Sequence, residues 1–474
     1  MDVLTAIRTS KMGRAQTAAI ACAFFALTID GFDVFVMGFL VPYLPDGFVE
    51  NDTQRGLLLS AGVFGMAAGA LLLAPLADRV GRRRVILTLT SSAALGMLLC
   101  GLCADYTQLF VARVFTGLSI GAMAPALTLL VQELSNDRRR TSVFGLFTIA
   151  WPVGTLLSGL FSVGLMDRFD DNWRAMFFFG AALGALCALI SFFTLPESPE
   201  FLLARRPDRF QERLDAVIDK LRLAGVDRLA RPAVSEKQAD AGGVRGLLGP
   251  TTRGPALVVV FLYSVTVFAV YWVTTWTPQI VAEESGSAHA GSVAGTILGL
   301  GTVTGAVVFA LYSVRFSPFK VHGLVLVLSA ASFIGVTLTF QAAGAALVLT
   351  ALGGLFLQFG IIGFPATVVY LFPVRSRVTV LGAQNFVSRT FGVLAPAAAG
   401  ALLSFMRPTT LFALAAVPIT LASLGGLYLW SRMKRLVPRE VPAEGAAVVD
   451  AAPARGRTGA QVDKAATDLD PAAG

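Results

Sequence analysis

Asp30-Gly31-Phe32-Asp33 places two carboxylates inside an apolar stretch that runs from Ala18 to Ile29 on one side and from Val34 to Leu44 on the other. Uninterrupted, the stretch would span a bilayer, which takes about 20 apolar residues. A buried acid there costs on the order of 3 kcal/mol on insertion scales. Such residues are rarely accidental, and proton or ion coupling is the first reading. Spaced i and i+3, the two project from one helix face. Two cations sit at comparable depth. Arg113 stands on the stripe Arg113-x-x-x-Gly117-x-x-x-Gly121-x-x-x-Pro125, whose glycines permit close helix approach. An intramembrane cation needs a partner, and the nearest candidates are Asp30 and Asp33. Arg389 lies about ten residues into an apolar stretch, roughly 15 Å deep at the rise of a helix. No Asp or Glu occurs between Glu284 and Glu440, so Arg389 must find an anion across the molecule, in Asp30 or Asp33, or in a ligand. A substrate carboxylate would meet its guanidinium fork bidentately. Phe32, Phe35, Trp151, Tyr271, Trp272 and Trp276 could stack a planar ring; of these, Phe32, Trp151, Trp272 and Trp276 complete the expected substrate set with Arg389.

The elements that must hold these side chains follow from composition. The chain is 55% hydrophobic and 14% charged, with mean hydropathy +0.70. Soluble globular proteins carry about 25% charged residues, so this is a polytopic membrane protein. Apolar stretches fall near 17–44, 54–77, 85–103, 107–133, 141–166, 173–195, 254–282, 290–313, 322–341, 345–371, 379–405 and 409–431. The fold class expected is all-α: twelve transmembrane helices in two pseudo-symmetric six-helix bundles. The bundles span 1–195 and 254–432, joined by a central cytoplasmic loop, 196–253, that is partly helical around Asp208 to Leu223 and flexible around Ala239 to Gly246. A tail over 433–474, rich in Ala, Pro and charge from Pro438 on, is expected to be disordered.

Charge distribution orients the spans. Lys and Arg cluster in alternate polar breaks: Arg8, Lys11 and Arg14; Arg79 and Arg82 to Arg84; Arg138 to Arg140; Arg205 to Arg253; Arg315 and Lys320; Arg375 and Arg377; and the tail from Arg432. The breaks near 45–53, 104–107, 283–289 and 342–344 carry none. The positive-inside rule puts both termini and the central loop in the cytoplasm of a bacterial-type inner membrane. The net charge of +8 is therefore a topology signal and implies no nucleic-acid partner.

The halves align at an offset of 237 residues: Gly117 meets Gly354, Arg138 meets Arg375, Arg140 meets Arg377 and Gly145 meets Gly382. Parallel six-helix repeats of this kind carry substrate near the midplane between them. Beyond Glu283 and Glu284 at the end of its first span, however, the second half carries no acid, so a coupling carboxylate must come from the first half.

Several motifs then carry a family resemblance. Ala74-Pro75-Leu76-Ala77-Asp78-Arg79-Val80-Gly81-Arg82-Arg83-Arg84 resembles the loop signature G-x-L-x-D-R-x-G-R-R of the major facilitator superfamily, with Ala74 in place of the first Gly. The second-half counterpart, Ser313 to Lys320, lacks the Asp and Gly. Glu133 followed by Arg138-Arg139-Arg140 resembles the helix-4 ending of the same superfamily, and Arg113 resembles its fourth-helix Arg, tied to proton coupling. Trp173-Arg174 and Pro196-Glu197-Ser198-Pro199-Glu200-Phe201-Leu202 resemble its solute-importer signatures. Asp30-Gly31-Phe32-Asp33, Pro42 and Trp276-Thr277-Pro278 are similar to the aromatic acid:proton symporter family over roughly residues 15–435. That resemblance implies uptake of an aromatic carboxylate with protons, Asp30, Asp33 and Arg113 acting in coupling. Asp78, Arg79, Gly81, Arg82, Glu133 and Arg138 are the expected gate. A proton-driven exporter of drugs or metabolites shares the fold, and importers of other carboxylates or metabolites share the chemistry. No Ser-His set or phosphate-cradling loop is present; Gly295, Gly299, Gly301 and Gly305 read as helix packing. The chain reads as no enzyme, with no cofactor or metal, its partners being a small organic anion, protons and the lipid bilayer, and functional as a monomer.

Overall fold

A computed structural model describes residues 2–206, 208–223, 226, 253–316, 321–372 and 374–436. The first half comprises α1 (Val3–Thr9), α2 (Arg14–Leu40), α3 (Asp52–Leu72), the short α4 (Ala77–Val80), α5 (Arg82–Leu102), α6 (Tyr106–Leu134), α7 (Arg140–Arg168), α8 (Arg174–Thr194), α9 (Pro199–Arg205) and α10 (Phe210–Leu221). The second comprises α11 (Arg253–Ser285), α12 (Ala288–Arg315), α13 (His322–Thr339), α14 (Ala343–Leu371), α15 (Val374–Leu403) and α16 (Thr410–Leu436). Twelve of these are long and apolar enough to cross a membrane, close to the stretches read from hydropathy. The protein is a multi-pass membrane protein, with twelve candidate membrane-spanning helices among the described residues. The helix expected around Asp208 to Leu223 is α10. The segment Ala239 to Gly246 and the tail from Pro438 lie outside the described residues.

Local chemistry sets the helix ends. On the side lacking basic loops, Asn51, Asp105 and Ser287 cap α3, α6 and α12, each accepting from a backbone N–H three residues on. On the basic side, the turn between α4 and α5 is made by Gly81 at φ 113°, a conformation that side chains disfavour. Prolines lie inside α6, α7, α11, α14, α15 and α16, where each lacks the backbone N–H that would continue the helix ladder.

Small residues then decide which helices touch. Gly117 and Gly121 of α6 face the carbonyl oxygens of Gly62 and Met66 on α3, and Gly65 and Gly69 return the contact to Val114 and Leu118. In the second half Gly354 of α14 faces the Leu298 carbonyl of α12, and Gly301 and Gly305 face Ala351 and Leu355. The repeat-equivalent Gly117 and Gly354 thus do the same packing job in their own halves. A Leu at 117 has no room against backbone, and Gly117→Leu is expected to lower stability by about 3 kcal/mol. Thermal unfolding in detergent measures this, and an unchanged midpoint would contradict the packing role.

The halves meet mainly away from the basic side. There, Gly56 of α3 and Gly400 of α15 press together, and Gly159 of α7 packs on Thr296 of α12. The traced polar contacts between halves are Arg55 to Glu283 at 3.0 Å, Asp167 to His289 at 3.3 Å, Tyr43 to Ser292 at 3.1 Å, Ser162 to Ser292 at 3.3 Å, and Arg389 to the Met66 carbonyl at 3.0 Å. All lie at mid-depth or toward the non-basic side. Toward the basic side, the paired positions Gly145 on α7 and Gly382 on α15 both face open space. Among the described residues, the halves are joined at one end and parted at the other.

Candidate functional site

The site begins with one helix crossing. A Cβ at Gly31 of α2 would run into the Trp151 backbone of α7, and one at Gly154 of α7 into the backbone of Thr28 and Phe32. Glycine at both positions lets the helices cross almost backbone to backbone. The crossing brings the Trp151 side chain into the neighbourhood of Asp30. The Gly of Asp-Gly-Phe-Asp is therefore what gives Asp30 an indole neighbour.

The two acids have different surroundings. Asp33 is paired with Arg113, whose Nη1 donates to Oδ1 at 2.7 Å and whose Nη2 donates to the Asp33 carbonyl at 2.8 Å. Both side chains are sealed, at 1% and 2% exposure. Gly62 makes room for the guanidinium, since a Cβ there would lie 2.9 Å from Nη2. Asp30 is equally buried but has no cation within bonding distance among the described residues, and its Oδ1 lacks a hydrogen-bond partner. Of the two partners open to Arg113 in the sequence, the structure selects Asp33.

Arg389 approaches from the other half. It is half-buried on α15, and its Nη1 donates to the Met66 carbonyl of α3. No carboxylate lies within ion-pair distance of it among the described residues, although Asp30, Tyr263 and Tyr271 are within its electrostatic reach. The direct salt bridge to Asp30 or Asp33 that the sequence allowed is not formed. Tyr271 of α11 packs on Gly392 of α15 and meets Phe35 and Trp151 at ring-centroid separations of 5.8 and 6.2 Å, while Phe35 and Trp151 lie 4.9 Å apart. One cluster at the seam between halves therefore contains an acid (Asp30), a cation lacking an anion (Arg389) and three aromatic rings.

Three residues expected in the substrate set are elsewhere. Phe32 is 1% exposed and turns to Phe179 and Gly180 of α8, inside the first bundle. The Trp272 indole donates to the Leu411 carbonyl at 3.0 Å, tying α11 to α16. The Trp276 indole donates to the Pro396 carbonyl at 3.1 Å, tying α11 to α15. Both tryptophans spend their only side-chain donor on helix carbonyls, those of Leu411 and Pro396. Tyr271, by contrast, stands at the centre of the seam cluster, between Phe35, Trp151 and Gly392. The Met66 carbonyl, as a backbone group, had no sequence signal at all.

The expected gate residues divide as well. Arg82 forms a buried ion pair with Glu133, and the Ser198 hydroxyl, which caps α9, donates to the same carboxylate. The Glu197 carboxylate accepts from the Arg83 backbone N–H at 2.9 Å and occupies the space in front of Gly81. Arg83 reaches the carbonyls of Leu195 and Phe192 at 2.8 and 2.6 Å. The loop after α3, the end of α6 and the Pro-Glu-Ser-Pro turn are thus one network. Lys220 of α10 joins its edge at the Leu195 carbonyl, where burial and then Arg83 hold its ammonium below the usual lysine value. Asp78 and Arg79 are exposed at the parted end, Asp78 only 3.9 Å from Arg82. Arg138 is exposed and has no traced partner among the described residues; the cation paired with Glu133 is Arg82.

Comparison with known proteins adds the following. The sequence pattern described as Major Facilitator Superfamily matches residues 23–284. The chain is 28% identical over 407 residues to a 4-hydroxybenzoate transporter of Pseudomonas aeruginosa, covering 85% of this chain and 89% of that protein. It is 28% identical over 325 residues to a gallate transporter of Pseudomonas putida, covering 68% and 71%. Among solved structures, the xylose transporter XylE from E. coli in a partially occluded inward-open conformation superposes with TM-score 0.66 at 15% identity, over 90% of this chain and 98% of that one.

Proposed function

Because the chain belongs to the Major Facilitator Superfamily and is a transporter rather than an enzyme, we propose that it takes up an aromatic carboxylate together with protons. One observation carries the reading: among the described residues Arg389 stands at the seam without an anionic partner, within electrostatic reach of Asp30 and of Tyr271, whose ring meets Phe35 and Trp151. A guanidinium and flanking rings suit a planar acid. Relatives named for 4-hydroxybenzoate and gallate transport support the same substrate class.

The coupling logic is electrostatic competition. As a carboxylate, Asp30 attracts Arg389 and opposes a second anion. As a neutral acid, it leaves Arg389 free to take the substrate. Proton and substrate therefore bind together, and loss of the proton expels the substrate. Asp33 and Arg113 hold α2 against α6 and set the register of the crossing. The basic loops mark the cytoplasmic side, so the conformation described above opens inward, with Asp78 and Arg79 at the parted gate. Arg55, Glu283, Ser162 and Ser292 close the outer side, and the protein works as a monomer in a bacterial-type inner membrane with both termini in the cytoplasm.

Right-side-out vesicles with an imposed inward proton gradient test this, with 4-hydroxybenzoate, gallate, nicotinate and an aliphatic acid side by side. Accumulation of an aromatic acid that a protonophore abolishes is expected. Accumulation confined to everted vesicles would mean export, and accumulation indifferent to the gradient would remove proton coupling.

A further inference from the structure

The seam face of α15 continues past Arg389 toward the parted end. Asn385 lies one turn before Arg389 and two before Gly392, the i, i+4, i+7 spacing of a single helix face. That face looks across the seam: Arg389 bonds the Met66 carbonyl of α3, and Gly392 packs on Tyr271 of α11 and Val63 of α3. Asn385 is exposed, and Gly382, a further turn along, faces open space. The exposure of Asn385 is therefore to the gap between the halves. Helix α7 repeats the arrangement from the first half. At the offset of 237 residues that aligns the repeats, Thr148 is the counterpart of Asn385, as Gly145 is of Gly382. Thr148 is also exposed and stands one turn before Trp151. Three turns on, the same face carries Gly159, which packs on Thr296 of the other half.

Both side chains have spent a donor and kept an acceptor. Nδ2 of Asn385 donates to the Leu381 carbonyl at 3.0 Å, which fixes the amide, since Oδ1 has no hydrogen to give a carbonyl. Oδ1 accepts no hydrogen bond among the described residues. The Thr148 hydroxyl donates to the Gly145 carbonyl at 2.8 Å, so its oxygen can only accept. Along the helix axis Asn385 stands about 6 Å from Arg389, comparable with the span from a carboxyl group to a para substituent on a benzene ring. With an acid held at Arg389 and its ring against Trp151 and Tyr271, the far end of the ring reaches these acceptors.

We propose that Asn385, assisted by Thr148 from the other half, is the specificity element of the substrate site and selects aromatic acids whose ring carries a hydroxyl. The hydroxyl donates to the waiting oxygens. A methoxy group in its place fills the space but has no hydrogen to give, and an unsubstituted ring leaves both acceptors to water. This rests on the aromatic-acid reading of Arg389 and adds which members of that class are taken.

Gradient-free counterflow with 4-hydroxybenzoate, 4-methoxybenzoate and benzoate, on the full-length protein in vesicles, tests the assignment. In the parent, 4-hydroxybenzoate should have the lowest KM of the three, by roughly tenfold. Asn385→Leu removes the acceptor at similar size, and the bond it loses lies within its own helix. It should raise the KM for 4-hydroxybenzoate about tenfold and leave that for benzoate within about twofold. Thr148→Val should act in the same direction with a smaller effect. The retained benzoate KM shows in the same measurement that the variants are folded. A parent indifferent to the hydroxyl, or Asn385→Leu shifting all three acids equally or none, would overturn the proposal and leave the aromatic-acid reading in place. A parent that exchanges none of the three would overturn both.

Discussion

Arg113→Ala is expected to lower the stability of the folded protein by about 3–5 kcal/mol, the cost of leaving a buried carboxylate without its cation. Asp33 and Arg113 are sealed from solvent and joined by a 2.7 Å bond, with a second bond from the guanidinium to the Asp33 carbonyl. Water cannot replace the lost partner at that depth. Asp33→Asn strands Arg113 in turn, although the amide oxygen can still accept one bond and the loss should be smaller. The double variant Asp33→Asn/Arg113→Met removes both charges and should recover most of the stability, because the pair's net contribution is small compared with the penalty for breaking it. It should not recover proton-driven accumulation. Thermal unfolding and vesicle uptake, measured on the three variants together, separate these roles. Restored stability with restored accumulation would show that the pair is architectural only.

Arg389→Ala should raise the KM for an aromatic acid on the order of 100-fold or more, since truncating one member of a buried charge pair costs about 2–5 kcal/mol. Its effect on folding should be modest, because the folded protein asks of Arg389 only one bond to a carbonyl, that of Met66. Arg389→Lys keeps the charge but loses the planar fork, and an intermediate KM is expected. Counterflow without a proton gradient is the right measurement, as it reads the substrate site apart from coupling. A KM unchanged in both variants would remove Arg389 from the substrate site. The contrast with Arg113 is instructive: two intramembrane arginines of similar standing in the sequence are predicted to fail in different assays, one in stability and one in recognition.

The resemblance of motifs was a good guide to the elements and a weaker one to side-chain roles. Glu133 and Arg138 enter the expected gate together, and Glu133 pairs with Arg82, far off in sequence, and with Ser198. Helix α6 ends before Arg138 and delivers it to the surface. Trp272 and Trp276 looked like ring-stacking residues because aromatic type is all a sequence shows. Their indole N–H groups, buried at helix crossings, needed acceptors and took the carbonyls of Leu411 and Pro396. Gly31 is the contact point of α2 with α7, a role that the sequence does not signal.

The sequence by itself determined the twelve spans and the restriction of membrane-depth acids to the first half. Both follow from costs that each residue incurs alone: apolar length must match the bilayer, and charge must leave it unless something holds it there. Tertiary structure decided the pairings. Spacing puts Asp30 and Asp33 on one face, but only the crossing of α2 with α6 gives Arg113 to Asp33, and only the seam with α15 leaves Arg389 near Asp30 without bonding it. Partner choice depends on distances between helices far apart in the chain, which glycine contacts such as Gly62 with Gly117 and Gly31 with Trp151 set by backbone approach.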